Sequence, residues 1–360
     1  MQCSSHSCKS AAVALAVVCS FFSVNISQGQ LSFNFTDLTT GGAPTEVTQG
    51  FIDAGNLWSN IFDDDITINV EYEYRGLGSG VLGSTRNERV SDSYADVLNA
   101  FTSDASSADD FTAVGNLQTG SSFSMLINRT TDNPNGLNSA TPYLDNNGSN
   151  NNSTIRLSRS NAKALGLIAG DNANKDGAIT FSNSFSWDFD RSNGISSGSF
   201  DFVGVAAHEI GHLLGFTSGV DILDGNGSGF SEDSFTWVNT LDLFRFSDNS
   251  GLGTQMDWAA DDREKYFSID GGATQLANFS LGRNFGDGQQ ASHWKDNLNI
   301  GLMDPTLSAS EFGDITALDI RAFDVIGFDL ISAVPEPGSL VTLGLLGTLV
   351  CCRRRRRRIA

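Results

Sequence analysis

The chain has 360 residues, with 42 acidic side chains against 22 basic ones and a formal net charge of −20. That length is enough for one large domain with a substantial core. The negative balance argues against a phosphate-backbone partner, so no nucleic acid is expected as a ligand.

At the N-terminus, Lys9 precedes an apolar run from Ala11 to Val24, followed by Ser27, Gln28 and Gly29. A basic residue, an apolar run and then small residues are the order of a secretory signal peptide, so residues 1–29 are expected to be removed on export. The body then opens on "LSFNFTDLT", with a helix expected around Thr45 to Ile61. In "DITINVEYEY" Ile66, Ile68, Val70 and Tyr72 alternate with polar residues, the pattern of a half-buried strand. A helix is expected over Ser91 to Thr102, where Tyr94, Val97, Leu98 and Phe101 form an apolar stripe. "SSFSMLINR" reads as a strand, and Thr131 to Asn152, dense in Asn, Gly and Pro, as a long loop. "STIRLS" predicts a short strand, "RSNAKALGLIA" a helix, and Gly177 to Asp190 a further strand. Strands and helices before residue 200 and irregular structure after it define a mixed α+β class.

The helix that carries chemistry follows. Asp201 is a good N-cap for a helix from about Phe202 to Leu214, and Gly215 a plausible terminator. Within it His208, Glu209 and His212 read His-Glu-x-x-His. Histidines four apart project from one helix face, a spacing that seats a zinc ion, with Glu209 beside them as general base. A catalytic zinc usually has three protein ligands. The common extension of the motif places a third histidine where this chain has Ser218. The chain has four histidines, and His6 leaves with the signal peptide, so His293 is the only one left to complete the site. Asp221 is a chemically possible alternative, because carboxylates also bind zinc.

Downstream, "SHWKDNLNIGLMDP" is followed by "GDITALDIRAFDVIGF", in which Asp314 or Thr316 can cap an amphipathic closing helix. His208, Glu209, His212 and Gly215, followed by Met303 in "GLMDP", resemble the metzincin clan of zinc proteases. His293, Trp294, Leu302 and Met303 resemble the leishmanolysin branch, whose third histidine comes after a large insertion. The resemblance covers about Asp201 to Gly215 and Ala291 to the closing helix. It implies one catalytic Zn2+ held by His208, His212 and His293, and a methionine turn at Met303. It also implies peptide-bond hydrolysis by zinc-activated water, with Glu209 as base. An extended substrate would pair with an edge strand ahead of the zinc helix; Ile179, Phe181 and Phe185 are candidates by position. Pro305 stands where some members have a tyrosine that assists the oxyanion. Calcium is a weaker expectation, from "NANKDG" (Asn172 to Gly177) and "DGNGSGFSED" (Asp224 to Asp233).

The C-terminus bears Pro335, Glu336 and Pro337, then an apolar run from Ser339 to Cys352 and six arginines, Arg353 to Arg358. The arginines would hold this end in the cytoplasm by the positive-inside rule. The tripartite end resembles the PEP-CTERM sorting tail of Gram-negative bacteria, which implies processing by an exosortase-type membrane enzyme. Residues 30–333 are thus left as the metalloprotease domain and 334–360 as the tail. All five cysteines, Cys3, Cys8, Cys19, Cys351 and Cys352, fall in the two address segments. Removing Lys9, the six terminal arginines and Glu336 leaves 15 basic and 41 acidic residues, an excess read as favouring solubility outside the cell. The expected function is an exported zinc endopeptidase acting on protein or peptide substrates. The alternative is a non-catalytic surface or matrix protein with a structural zinc site.

Overall fold

The computed structural model describes residues 30–251 and 255–331, and the expected signal peptide and sorting tail lie outside the described residues. The chain is mixed α+β with open sheets. Strand β1 (Ser32–Asp37), helix α1 (Thr45–Ser59) and strand β2 (Thr67–Arg75) come first, the two strands parallel with Phe33 opposite Ile68. Ile68, Val70 and Tyr72 are buried, as the alternation in "DITINVEYEY" requires. Strand β3 (Gly83–Asn87) follows, then β4 (Arg89–Ser93), α2 (Tyr94–Asp104) and α3 (Ala108–Asn116). Helix α2 starts three residues later than its apolar stripe suggests, because residues 89–93 pair antiparallel with a later strand. Helix α3 is absent from the sequence reading. Its start is fixed by a capping box in which Ser107 and Asp110 satisfy each other's backbone amides.

Next come β5 (Met125–Ile127), β6 (Tyr143–Asp145), β7 (Thr154–Ser158) and α4 (Arg159–Ala164). The stretch read as one strand over Gly177 to Asp190 divides into β8 (Gly177–Ser182) and β9 (Trp187–Asp188). Between them the chain bends, with the Trp187 indole N–H donating to Ser182 O at 2.8 Å. Strand β10 (Phe200–Asp201) leads into α5 (Phe202–Leu214), which has the bounds its cap and terminator predict. Beyond it lie α6 (Val220–Asn226), short strands β11 (Arg245–Phe246), β12 (Met256–Asp257), β13 (Lys265–Phe267) and β14 (Ala277–Phe279), and the closing helix α7 (Ala317–Asp324). Among the described residues no helix is long and apolar enough to cross a membrane.

The principal sheet has the order β1-β2-β8-β3, with β1, β2 and β8 parallel and β3 antiparallel to β8. This arrangement corrects one expectation. Strand β8 is hydrogen-bonded on both sides and offers no free edge to a substrate, and its Ile179 and Phe181 are buried in the core. Phe185 lies past the strand, packed against Trp187 and Phe200. The edge is β3.

Helix α5 packs between this sheet, α1 and the closing segment. Phe51, Phe181 and Phe202 meet with ring centroids 4.6 to 5.6 Å apart, and the Trp58 indole donates to Ala207 O at 3.0 Å. Burying aromatic rings from α1, β8 and α5 together fixes how the helix lies on the sheet.

Candidate metal centre

Helix α5 begins where Asp201 Oδ1 accepts the Gly204 amide at 3.0 Å. The second oxygen of Asp201 accepts from Gly313 N at 3.1 Å, so the cap also ties the helix to the chain ahead of α7. The helix ends at Gly215, whose φ of 132° is open to glycine and strained for other residues. The turn brings Phe216 N back to Gly211 O at 3.1 Å and sets Phe216 O 2.8 Å from His212 Nδ1. One backbone reversal thus both stops the helix and orients a ligand.

His208, His212 and His293 come together, their ligand atoms all within 4.8 Å of one another. His212 Nε2 and His293 Nε2 lie 3.1 Å apart. Each ring also presents Nδ1 to a backbone carbonyl: His208 to Leu302 O at 2.8 Å, His212 to Phe216 O at 2.8 Å and His293 to Gln290 O at 3.3 Å. A carbonyl only accepts, so Nδ1 carries the proton and the lone pairs of the three Nε2 atoms converge. Burial pushes the His212 imidazole down to about 3 and His293 well below its ordinary value, each helped by its histidine neighbours. Converging neutral lone pairs repel one another unless a cation sits between them, and Nδ1–H to carbonyl bonds are the usual outer support of metal-bound histidine. The donor set therefore fits a metal ion.

Glu209 is buried beside the triad. Burial pushes its carboxyl up from the ordinary range, opposed by His208 and by a hydrogen bond from Thr85. Met303 is fully buried beneath the helix, where a Cβ on Gly211 would lie 2.5 Å from its sulfur. Glycine at 211 is what lets the thioether come this close to the helix backbone.

His293 is carried by chain that belongs to no helix or strand. Ser280 N donates to His293 O at 3.0 Å and Lys295 N to Asn278 O at 2.8 Å, docking the segment along β14. Trp294, fully buried, stacks on Phe279 at 5.0 Å and donates from its indole to Asp319 at 2.8 Å. Asp319 on α7 also accepts Leu302 N at 2.7 Å and Met303 N at 3.3 Å, so one carboxylate ties Trp294, the turn at Met303 and the closing helix together.

Asp221, the alternative ligand, has another task. Its oxygens accept Ala291 N at 2.7 Å and Ser292 Oγ at 2.5 Å, on the two residues before His293. Ser218, at the position of the usual third histidine, donates its amide to Ser292 Oγ at 2.9 Å and its hydroxyl to Asp242 at 2.6 Å. It links the Asp242 segment to the His293 segment.

The calcium readings gain no support from the arrangement of these carboxylates. Asp176 is fully buried and salt-bridged to Lys163 at 2.6 Å, and Asp224 accepts Asn284 N at 2.8 Å and Phe285 N at 2.9 Å. Among the described residues the histidine triad is the metal-competent cluster of histidine and acidic groups.

The sequence reading missed β3. Gly83, Thr85 and Asn87 face α5: a Cβ on Gly83 would lie 2.6 Å from a Glu209 oxygen, Thr85 bonds the Glu209 carboxylate, and Asn87 donates to His212 O at 2.9 Å. The segment shows no apolar alternation because its inward residues meet a carboxylate and a carbonyl. Its one signal is Gly83 two residues ahead of a β-branched hydroxyl residue. No family model matches the chain, and neither does any curated protein or solved structure.

Proposed function

We propose that the protein is an exported zinc-dependent endopeptidase of the metzincin type, with its third ligand placed as in the leishmanolysins. The observation that carries this reading is the convergence of His208, His212 and His293 Nε2 next to the buried Glu209. Three neutral nitrogen donors are the ligand set of hydrolytic zinc sites, in which one position stays open. A zinc ion bound there supplies a Lewis acid for the scissile carbonyl and lowers the pKa of water at the open position.

The chain's own groups supply the rest. Glu209 takes the proton of the attacking water and returns it to the leaving amine. Substrate alignment falls to β3. Ser182 N donates to Leu82 O and Glu88 N to Asp176 O, both at 2.9 Å, which turns the even-numbered residues of the strand toward β8. Gly83, Thr85 and Asn87 then direct their peptide groups outward, where an extended peptide can add as a further strand.

The alternative, a non-catalytic protein with a structural metal site, leaves Glu209 without a task, since a structural site needs no base. In the zinc-loaded protein, Glu209→Ala should retain the metal and the fold while lowering kcat on a peptide library by at least about a hundredfold. Retained hydrolysis by a verified Glu209→Ala protein, or a wild type inert on the whole library, would sink the reading.

A further inference from the structure

Strand β3 touches the site with two different parts of the same residues. Its outward peptide groups form one free edge of the sheet, and its inward side chains lie against α5. Thr85 is the middle one. Its hydroxyl lies 2.7 Å from Glu209 Oε2 and 2.8 Å from the Glu209 main-chain oxygen. Next to it, Gly83 leaves the space that the other carboxylate oxygen occupies, since a Cβ there would sit 2.6 Å from Oε1 and 2.8 Å from Cγ. Glu209 is thus held on one oxygen and given room on the other, both by alternate residues of one edge strand. We infer that Thr85 is a positioning residue for the general base, and that β3 registers the base against any substrate strand added at its edge.

The chemistry of a hydroxyl suits this task. Thr85 has one proton and two lone pairs, with two acceptors in reach. With Glu209 ionised, the hydroxyl donates to Oε2 and leaves Oε1 free to take a proton from water. If a proton comes to rest on Oε2, the hydroxyl turns to donate to the Glu209 carbonyl and accepts from the carboxyl. The Thr85 proton never leaves its oxygen, and no heavy atom has to move. Because Asn87 donates to His212 O from the same face, the strand also fixes the helix turn that carries a ligand. A shift of β3 would therefore displace base and substrate together, which keeps their relative geometry.

The inference rests on the peptidase reading, and its test separates the two. Thr85→Val, Thr85→Ser and Glu209→Ala are prepared in the full chain and loaded with zinc. Thr85→Val should bind zinc as the wild type does, with kcat lowered about tenfold to a hundredfold and KM within about twofold. Thr85→Ser, which restores the hydroxyl, should recover kcat to within about threefold of wild type. A Thr85→Val protein with wild-type kcat, or a Thr85→Ser protein as slow as Thr85→Val, would overturn the assignment. A crystal structure of Thr85→Val gives a readout independent of turnover: the Glu209 carboxylate should leave its wild-type position while the three histidines stay. An unmoved carboxylate counts against Thr85. A wild type that cleaves nothing counts against the peptidase reading alone, and the crystallographic comparison still decides the role of Thr85.

Discussion

His208 and His212 reach the candidate metal centre on one turn of helix, whereas His293 reaches it from the stretch between β14 and α7 that has no regular element. In the helix, backbone donors and acceptors satisfy each other, and ligand spacing follows from 3.6 residues per turn. The irregular stretch has no such ladder, yet its peptide groups still need partners. Aspartates supply them: Asp224 takes Asn284 N and Phe285 N, Asp287 takes Leu281 N, Asp221 takes Ala291 N, and Asp319 takes Leu302 N and Met303 N. Carboxylates from α6 and α7 do for this segment what a strand partner does elsewhere. Part of the acidic excess, read from composition as an aid to solubility, is thus structural.

If that contrast is right, the carboxylates under His293 are more sensitive than anything local to α5. The largest effect is expected at Asp319, fully buried with donors from three parts of the chain. Asp319→Ala should lower unfolding free energy by at least about 3 kcal/mol, because several buried N–H groups lose their acceptor at once. Urea denaturation checks this, and a loss below about 1 kcal/mol would break the comparison. Asp221→Ala comes next. It frees Ala291 N and Ser292 Oγ beside His293, so chelator competition should show zinc affinity lowered about 10- to 100-fold while the protein stays folded. Complete metal loss there, with retention in His293→Ala, would instead make Asp221 the ligand.

The smallest effect is expected away from the centre. Burial pushes Asp64 up to about 8, helped by Asp329, and pushes Asp104 and Asp324 up to about 7 beside other carboxylates. Folded-state values above the ordinary one mean that the folded chain holds these protons more tightly than the unfolded chain. Their contribution to stability is full below about pH 4 and is lost as pH rises through 7 to 8. Tm should therefore fall by a few degrees between about pH 6 and pH 9, and Asp64→Asn should flatten that slope. A Tm that rises over this range would show that these carboxyls are not the groups in control.

The correct readings came from patterns that local geometry enforces. The alternation around Ile68 and Val70, the Asp201 cap, the Gly215 stop and the His208–His212 spacing all depend on chain within one element. Even His293 was reachable, because the chain has so few histidines. The misreadings share a cause. Strand β8 looked like a substrate edge because its position ahead of the helix was legible, but its neighbours were not. Strand β3, which holds the edge, shows no apolar period because its inner face meets Glu209 and His212. Asp176, Asp221 and Asp224 looked like possible ligands because the sequence shows oxygens and hides the donors that occupy them.

By itself the sequence determined a buried helix that places two imidazoles and a carboxylate on one turn, since helical period is a property of consecutive residues. It also determined that one further histidine was available. Only the tertiary structure decided that His293 closes the triad, that Asp221 clamps it, and that Thr85 touches Glu209. Those contacts join residues 70 to 124 positions apart, and their geometry exists only once the sheet, the segments after α5 and the closing helix have packed around α5.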